Sequence, residues 1–175
     1  MTRDVSMDEM QKRVARFKGL RPSRKAFVDS LIPGHEREIF NVIGRGVTED
    51  TTLSPAITDA RDFNLTLVRA EPGKGAALHA HPTVEVFMAL SGRWAVSWGD
   101  TGEHELVLEQ WDTISVPPGV MRGFRNAGPE TGYLMAILGG TDAGHVTWSP
   151  AVLEQARETG LGLDAAGNLV TDARQ

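Results

Sequence analysis

The sequence contains no cysteine, which excludes disulfides, thiolate metal sites and a cysteine nucleophile. It also has no long apolar run, so no segment is expected to span a membrane. The N-terminal residues lack the basic and apolar regions of a signal peptide. There is no basic block and the net charge is −5, so nucleic acid is not an expected partner. These absences together predict a cytoplasmic protein.

The pattern of apolar residues changes at Glu38 and indicates strands from there onward. Short or alternating apolar runs follow one another, separated by Gly, Pro, Asp and Asn. They cover residues 38–43, 63–70, 75–81, 84–90, 93–98, 103–109, 112–116, 120–125 and 133–138. No helix-length segment interrupts them, so we expect an antiparallel sandwich or barrel, with a hairpin loop at 99–102.

Helical patterns appear only at the two ends of the chain. Ser6 and Glu9 form a capping box, and apolar residues then recur at helical spacing up to Gly19. A shorter helix is predicted at about 24–31. Ser149 and Pro150 suit the start of a C-terminal helix that ends before Gly160, and we expect 164–175 to be a loosely held extension.

The chain is therefore expected to form one domain in three parts. These are an N-terminal helical arm (1–37), a barrel (38–148) and a C-terminal helix with its tail (149–175). The arm carries one apolar stripe, formed by Met7, Met10, Val14 and Phe17. Such a stripe covers a barrel face or docks on a partner subunit, and we expect a homodimer.

Two histidines and a glutamate provide the most specific chemical signal. His79 and His81 are two residues apart, so on a strand both side chains point to one face, with Cα atoms roughly 6.6 Å apart. On a straight strand Glu85 would lie about 13 Å beyond His81. Pro82 favours a turn that would bring Glu85 back beside the two imidazoles. We therefore predict one divalent transition metal, Fe, Mn, Ni, Co or Zn, at His79, His81 and Glu85.

These residues resemble the first motif of the cupin superfamily. That motif reads Gly, five residues, His-x-His, three or four residues, Glu, six residues, Gly, and it is met at Gly73, His79, His81, Glu85 and Gly92. The resemblance to single-domain, RmlC-like cupins covers about 63 to 140. It implies an all-β fold, the double-stranded β-helix or jelly-roll barrel, here with helices at both ends.

The second cupin motif is only partly present. Its proline, glycine and asparagine match Pro117, Gly119 and Asn126, but Trp111 stands at its first glycine and Arg122 at its fourth-ligand histidine. A guanidinium has no lone pair to give a metal. Either the three remaining ligands hold the metal and Arg122 clamps an anionic substrate, or the metal is lost and Arg122 pairs with Glu85.

Two aromatic residues share a strand face with this predicted site. Phe87 alternates with Glu85, and Phe124 alternates with Arg122, so both are candidate pocket residues, although core packing is favoured for Phe124. Trp94, Val96 and Trp98 also alternate, and core packing is favoured for them as well.

The predicted function is a metal-dependent reaction on a small anionic organic substrate. Within that class we expect an oxidoreductase resembling the non-haem iron dioxygenases, with Arg122 orienting the substrate. A metal-assisted isomerase, lyase or cyclase would use the same residues. The competing hypothesis is a non-catalytic ligand-binding or regulatory cupin without a metal.

Overall fold

A computed structural model describes residues 2–171 of the chain. Its helices are α1 (Met7–Gln11) and α2 (Pro150–Glu158), with one short 3-10 helix at Phe17–Gly19. Its strands are β1 (Glu38–Ile43), β2 (Phe63–Ala70), β3 (Gly75–Ala80), β4 (Glu85–Ser91), β5 (Trp94–Trp98), β6 (His104–Leu108), β7 (Thr113–Val116), β8 (Arg122–Asn126), β9 (Gly132–Gly139), β10 (Thr147–Trp148), β11 (Leu161–Leu163) and β12 (Leu169–Thr171). Within this part of the chain, no helix is long and apolar enough to cross a bilayer.

Two five-stranded antiparallel sheets form the body of the protein. The first has the strand order β1-β2-β9-β4-β7, and the second has the order β10-β3-β8-β5-β6. The inward-facing side chains of both sheets meet in one apolar core, which includes Phe87 from the first sheet and Trp94, Val96 and Phe124 from the second. The predicted all-β jelly-roll fold is confirmed, and the nine predicted strand runs correspond to β1 through β9.

Strand β4 shows how the period of two positions the site. Glu85, Phe87 and Ala89 are buried, whereas the residues between them are partly exposed, as expected for a strand with one face on the core. The chain turns between Ala80, the end of β3, and Glu85, the start of β4. The predicted turn near Pro82 is thus confirmed, and it places a carboxylate opposite the end of the histidine strand.

The N-terminal arm contains less helix than predicted. The capping box of Ser6 and Glu9 is present, but α1 ends at Gln11, and none of its residues is buried. A five-residue helix without apolar packing has little to stabilise further turns. The helix predicted at 24–31 is also wrong. The carbonyl of Ala26 accepts hydrogen bonds from the amides of Glu49 and Asp50, so tertiary bonds replace the helical ones.

The C-terminal region matches the prediction in its helix and departs from it in the tail. The Ser149 side chain caps α2, and Gly160 follows the helix with a φ of 87°. Val152 and Ala156 pack α2 against Ala77, on the outside of the barrel. The tail was predicted to be loosely held, but β12 pairs with β11, and the amide of Leu169 bonds to the carbonyl of Glu49. Residues 172–175 lie outside the described part.

The backbone at Trp111 accounts for one departure from the second cupin motif. Trp111 has a φ of 73°, in the left-handed region that favours glycine, as does Gly92 in the first motif, with a φ of 74°. Trp111 therefore holds a backbone conformation that glycine adopts more readily, and its side chain is exposed.

Candidate metal centre

The structure brings His79, His81 and Glu85 together. One potential ligand atom from each lies within 4.8 Å of those of the other two, and all three residues are buried. His79 is in β3, His81 directly follows it, and Glu85 opens β4, so the turn at 81–84 closes the cluster. Two imidazoles and a carboxylate are a donor set suited to a divalent transition ion that keeps open positions.

A hydrogen bond fixes the orientation of the His79 ring. Its Nδ1 lies 2.7 Å from the carbonyl oxygen of Ala77. A carbonyl only accepts, so Nδ1 carries the proton and Nε2 keeps its lone pair. Ligating histidines generally donate their second ring N–H in this way. The residues present therefore fit a metal ion.

His81 is arranged differently. Its Nε2 lies 3.5 Å from Oε2 of Glu85, and its ring packs edge-on to that of His79, with centroids 4.9 Å apart. Within the described chain, the buried Nδ1 of His81 has no hydrogen-bond partner. The Nε2 atom of this ring is therefore the one that faces the Glu85 carboxylate.

Burial keeps both imidazoles neutral. It lowers the pKa of His79 to about 3, and the nearby Arg122 guanidinium adds to this effect. Burial also lowers the pKa of His81 far below its usual range, with His79 and Arg122 contributing. Because a ligating imidazole must be unprotonated, the site is ready for a metal at neutral pH without losing protons from either histidine.

Arg122 is bonded to Glu85. Its Nε and Nη2 donate to the same oxygen, Oε2, at 3.0 and 2.8 Å, and its Nη1 donates to the carbonyl of Val120 at 3.0 Å. Burial raises the pKa of the Glu85 carboxyl, and the Arg122 guanidinium opposes that rise. The ion pair of the second sequence hypothesis is therefore present, while Oε1 of Glu85 takes no bond from Arg122.

The cluster opens into a small cavity between the two sheets. Its volume is about 40 Å³, room for a few water-sized groups. Most of its lining is apolar, from residues that include Phe27, Ile39, Val68, Phe124, Leu138 and Trp148. His79, His81 and Glu85 are among its polar lining residues. A mainly apolar wall with a few convergent polar groups is typical of a small-molecule site.

The structure separates the other predicted site residues. Phe124 lines this cavity, but Phe87 does not: its ring is fully buried in the core, with its centroid 5.2 Å from that of Phe124. Arg122 is also fully buried and does not line the cavity. Strand parity placed both residues on the inner face, but it does not distinguish packed core from open space.

Several residues around the site were not identified as site residues from the sequence. Trp148 lies with its ring centroid 5.3 Å from that of His79, and its Nε1 donates to Glu49 at 2.6 Å. Arg37 lines the cavity and is buried. Arg37 is two residues before Ile39, which is also buried, so on a strand both would face the core. A charged residue at such a position is unusual, and this spacing was the one feature of the sequence that could have identified Arg37.

The comparisons with known proteins agree with the fold. The family model described as a cupin domain matches residues 66–138. Among solved structures, the polyketide cyclase RemF from Streptomyces resistomycificus is 17% identical, with a TM-score of 0.58, and the match covers 77% of this chain and 82% of that one. An RmlC-like cupin from Shewanella frigidimarina is 16% identical, with a TM-score of 0.50, covering 72% and 88%.

A third similar structure belongs to a set of DMSP lyases. It is 17% identical, with a TM-score of 0.50, and the match covers 65% of this chain. The chain spans about half of the length of that protein, 52%. No curated protein matches the sequence. The cupin-domain match at residues 66–138, the two-sheet strand order and these structural matches together show that the chain has the jelly-roll fold of cupins.

Proposed function

We propose that the chain is a metal-dependent cupin enzyme that acts on a small anionic organic substrate. The observation that carries this proposal is the hydrogen bond from His79 Nδ1 to the carbonyl of Ala77, together with the convergence of His79, His81 and Glu85. A structural histidine in a core has no need of a free Nε2 facing a second imidazole and a carboxylate.

The charge of the site favours an anionic ligand. A divalent ion would contribute two positive charges, Arg122 contributes one positive charge, and Glu85 contributes one negative charge. The net charge of this buried region would then be +2. Buried charge that is not compensated costs roughly several kcal/mol per ion. An anionic substrate offsets that charge, so we expect metal and substrate to favour each other's binding.

The cluster, the cavity lining and Arg122 each have a distinct role in this function. His79, His81 and Glu85 hold the ion, and the apolar lining, including Phe124, excludes bulk water. Arg122 pairs with Glu85 and opposes the rise of its pKa, and its positive charge favours an anion in the cavity without contacting it. When bound, the metal supplies Lewis acidity toward a substrate oxygen, and iron in addition supplies redox chemistry with dioxygen.

A dioxygenase-like reaction remains our prediction, and isomerase, lyase or cyclase chemistry would use the same ligands. Two of the similar structures are named as a cyclase and as lyases, which supports keeping that second group. Oxygen consumption by the iron-loaded protein, measured with small carboxylates, separates the two possibilities.

Equilibrium dialysis of metal-depleted protein tests the proposal. We expect near-stoichiometric binding of Mn²⁺, Co²⁺ or Zn²⁺, abolished by His79→Ala and retained by His104→Ala, a matched change at an exposed histidine. Acetate, compared with chloride at equal ionic strength, is expected to tighten metal binding. Binding that is absent from the wild type, or equal in both variants, would contradict the proposal.

A non-catalytic binding cupin is the second candidate, and the Arg122–Glu85 pair favours it. Both Nε and Nη2 of Arg122 satisfy the Glu85 carboxylate without any ion. In that case the cavity binds a small ligand directly. The same dialysis would then find no metal, and His79→Ala would leave the stability of the protein unaltered.

The homodimer and the cytoplasmic location also remain predictions. Exposed apolar residues of the arm support a dimer, because Met7, Met10 and Val14 are 72, 51 and 46% exposed. Exposed apolar residues grouped on one segment mark interaction surfaces. Sedimentation equilibrium of the full chain is expected to give twice the mass of one chain. A protein lacking residues 1–16 is expected to give the mass of a single chain.

A further inference from the structure

Strand β3 carries a bulge directly before the metal ligands. Ala76 pairs with Phe124 of β8, but the next pair is His79 with Arg122, so two residues of β3 lie opposite Gly123 alone. Strict alternation would put Ala76 and His79 on opposite faces, yet both line the cavity. A bulge re-aims the side chains that follow it, and here it turns His79 inward.

The backbone of Ala77, inside the bulge, bonds to side chains. Its amide donates to Oδ2 of Asp29 at 2.9 Å, and its carbonyl accepts from Nδ1 of His79 at 2.7 Å. A buried backbone amide without a hydrogen-bond partner is costly. Because the bulge takes Ala77 out of the regular pairing with β8, the Asp29 carboxylate serves as the acceptor for its amide. The orientation of Ala77 in turn sets the position of the carbonyl that holds His79.

Asp29 is itself held by Arg37. The guanidinium donates from Nη1 to Oδ2 at 3.0 Å and from Nη2 to Oδ1 at 2.9 Å, and the side chains of Asp29 and Arg37 are 0% and 2% exposed. Nη1 of Arg37 also lies 3.1 Å from the carbonyl of Gly75 at the start of β3. The buried pair thus holds β3 at Gly75 and at Ala77, on either side of Ala76.

We propose that Asp29 and Arg37 are positioning residues for His79. They fix Ala77 so that its carbonyl keeps His79 in the Nδ1–H tautomer, with Nε2 free to ligate. This inference rests on the proposed function in one respect, that His79 is a metal ligand. The residues act through Ala77, and a pair that served only to stabilise the core would leave the tautomer of His79 unchanged.

The test replaces both charged side chains by apolar ones, in Asp29→Leu with Arg37→Met. Replacing a whole buried ion pair leaves no unpaired charge, and such changes are often tolerated. The matched control is Asn64→Ala, because Asn64 is also buried and also bonds backbone groups, those of Gly46 and Gly140, from the other sheet. Thermal melts establish that each protein is folded.

Two readouts follow in the folded proteins. Nitrogen-15 NMR of the metal-free protein reports the tautomer of His79, and titration with Co²⁺ alone reports affinity. We expect the Nδ1–H tautomer in the wild type and the control. In the double variant we expect a tautomer mixture and a Co²⁺ dissociation constant raised by about 10- to 100-fold, the usual cost of losing such support. Asp29→Asn, which keeps one oxygen for Ala77, is expected to change both in the same direction by a smaller factor, and it replaces the double variant if that protein does not fold.

The outcomes separate this inference from the proposed function. An Nε2–H tautomer in the wild type, or a tautomer and affinity unchanged in both Asp29 variants, overturns the positioning role while leaving metal binding intact. A third outcome is that the tautomer of His79 changes in the Asp29 variants as expected, but the wild type binds no Co²⁺. That outcome supports the positioning of the ring and contradicts the metal-dependent function.

Discussion

Replacing Arg122 by methionine gives the sharpest view of how the site is held together. The change removes both hydrogen bonds to Oε2 of Glu85, at 3.0 and 2.8 Å. It leaves a carboxylate whose side chain is 6% exposed and whose charge has lost its partner. Methionine fills much of the same space, so the electrostatic loss dominates over the packing loss.

The size of the effect follows from burial. Removing one partner of a buried ion pair costs about 3–5 kcal/mol. Glu85 limits that cost by taking up a proton: because a glutamate ordinarily titrates at pH 4.5, protonation at pH 7 costs about 3.4 kcal/mol, at about 1.36 kcal/mol per pH unit. We therefore expect the lower part of the range, about 3 kcal/mol. In a chain of this length that lowers the melting temperature by roughly 6–12 °C.

Thermal unfolding with a chelator, over a range of pH, is the assay. Burial already raises the pKa of Glu85 in the wild type, and in the variant Arg122 no longer opposes that rise. The loss of stability relative to the wild type therefore grows as the pH rises above 4.5 and shrinks as the pH falls toward that value. Arg125→Met is the control, since Arg125 lies in the same strand but pairs with Glu105 at the surface, where such pairs contribute at most about 1 kcal/mol. If Arg122→Met and Arg125→Met have the same melting temperature at pH 8, the ion pair of Arg122 and Glu85 does not stabilise the site.

Two other changes test neighbouring parts of the account. Arg122→His restores a potential fourth ligand, and we expect tighter Co²⁺ binding with weaker acetate linkage in isothermal titration; no change in either would show that position 122 does not face the site. Glu49 is buried and has its pKa raised to about 7 by burial, so the folded chain keeps a proton that the unfolded chain releases above pH 4.5. The free energy of unfolding should therefore fall by up to about 3 kcal/mol between pH 4.5 and 7, and Glu49→Gln should lack this fall in urea unfolding at pH 5 and pH 8. Parallel pH dependence of the two proteins would show that Glu49 is ionised throughout.

Local patterns were sufficient to predict the strands and the convergence of His79, His81 and Glu85. The period of two along β4 placed Glu85 inward, and the proline after His81 gave the turn that closes the cluster. Both signals come from residues near each other in the sequence. They correspond to physical constraints, alternation and restricted φ, that act whatever the rest of the chain does.

Long-range contacts explain what the sequence did not show. The segment around Asp29 has a helix-like pattern, but its hydrogen bonds go to Glu49 and to Ala77, which are 20 or more residues away. The bulge that turns His79 inward has no signal in β3 alone, because it depends on the register with β8. Likewise, the sequence left open whether Arg122 pairs with Glu85, because that pairing depends on the separation of two strands.

The metal content of the protein, purified without chelators, tests the central claim most directly. Elemental analysis is expected to find close to one transition-metal ion per chain, and to find that ion lost in His79→Ala while the melting curve still shows a folded protein. A wild-type protein that carries no metal, and that takes up none when Fe²⁺, Mn²⁺, Co²⁺, Ni²⁺ or Zn²⁺ is supplied, would contradict the account.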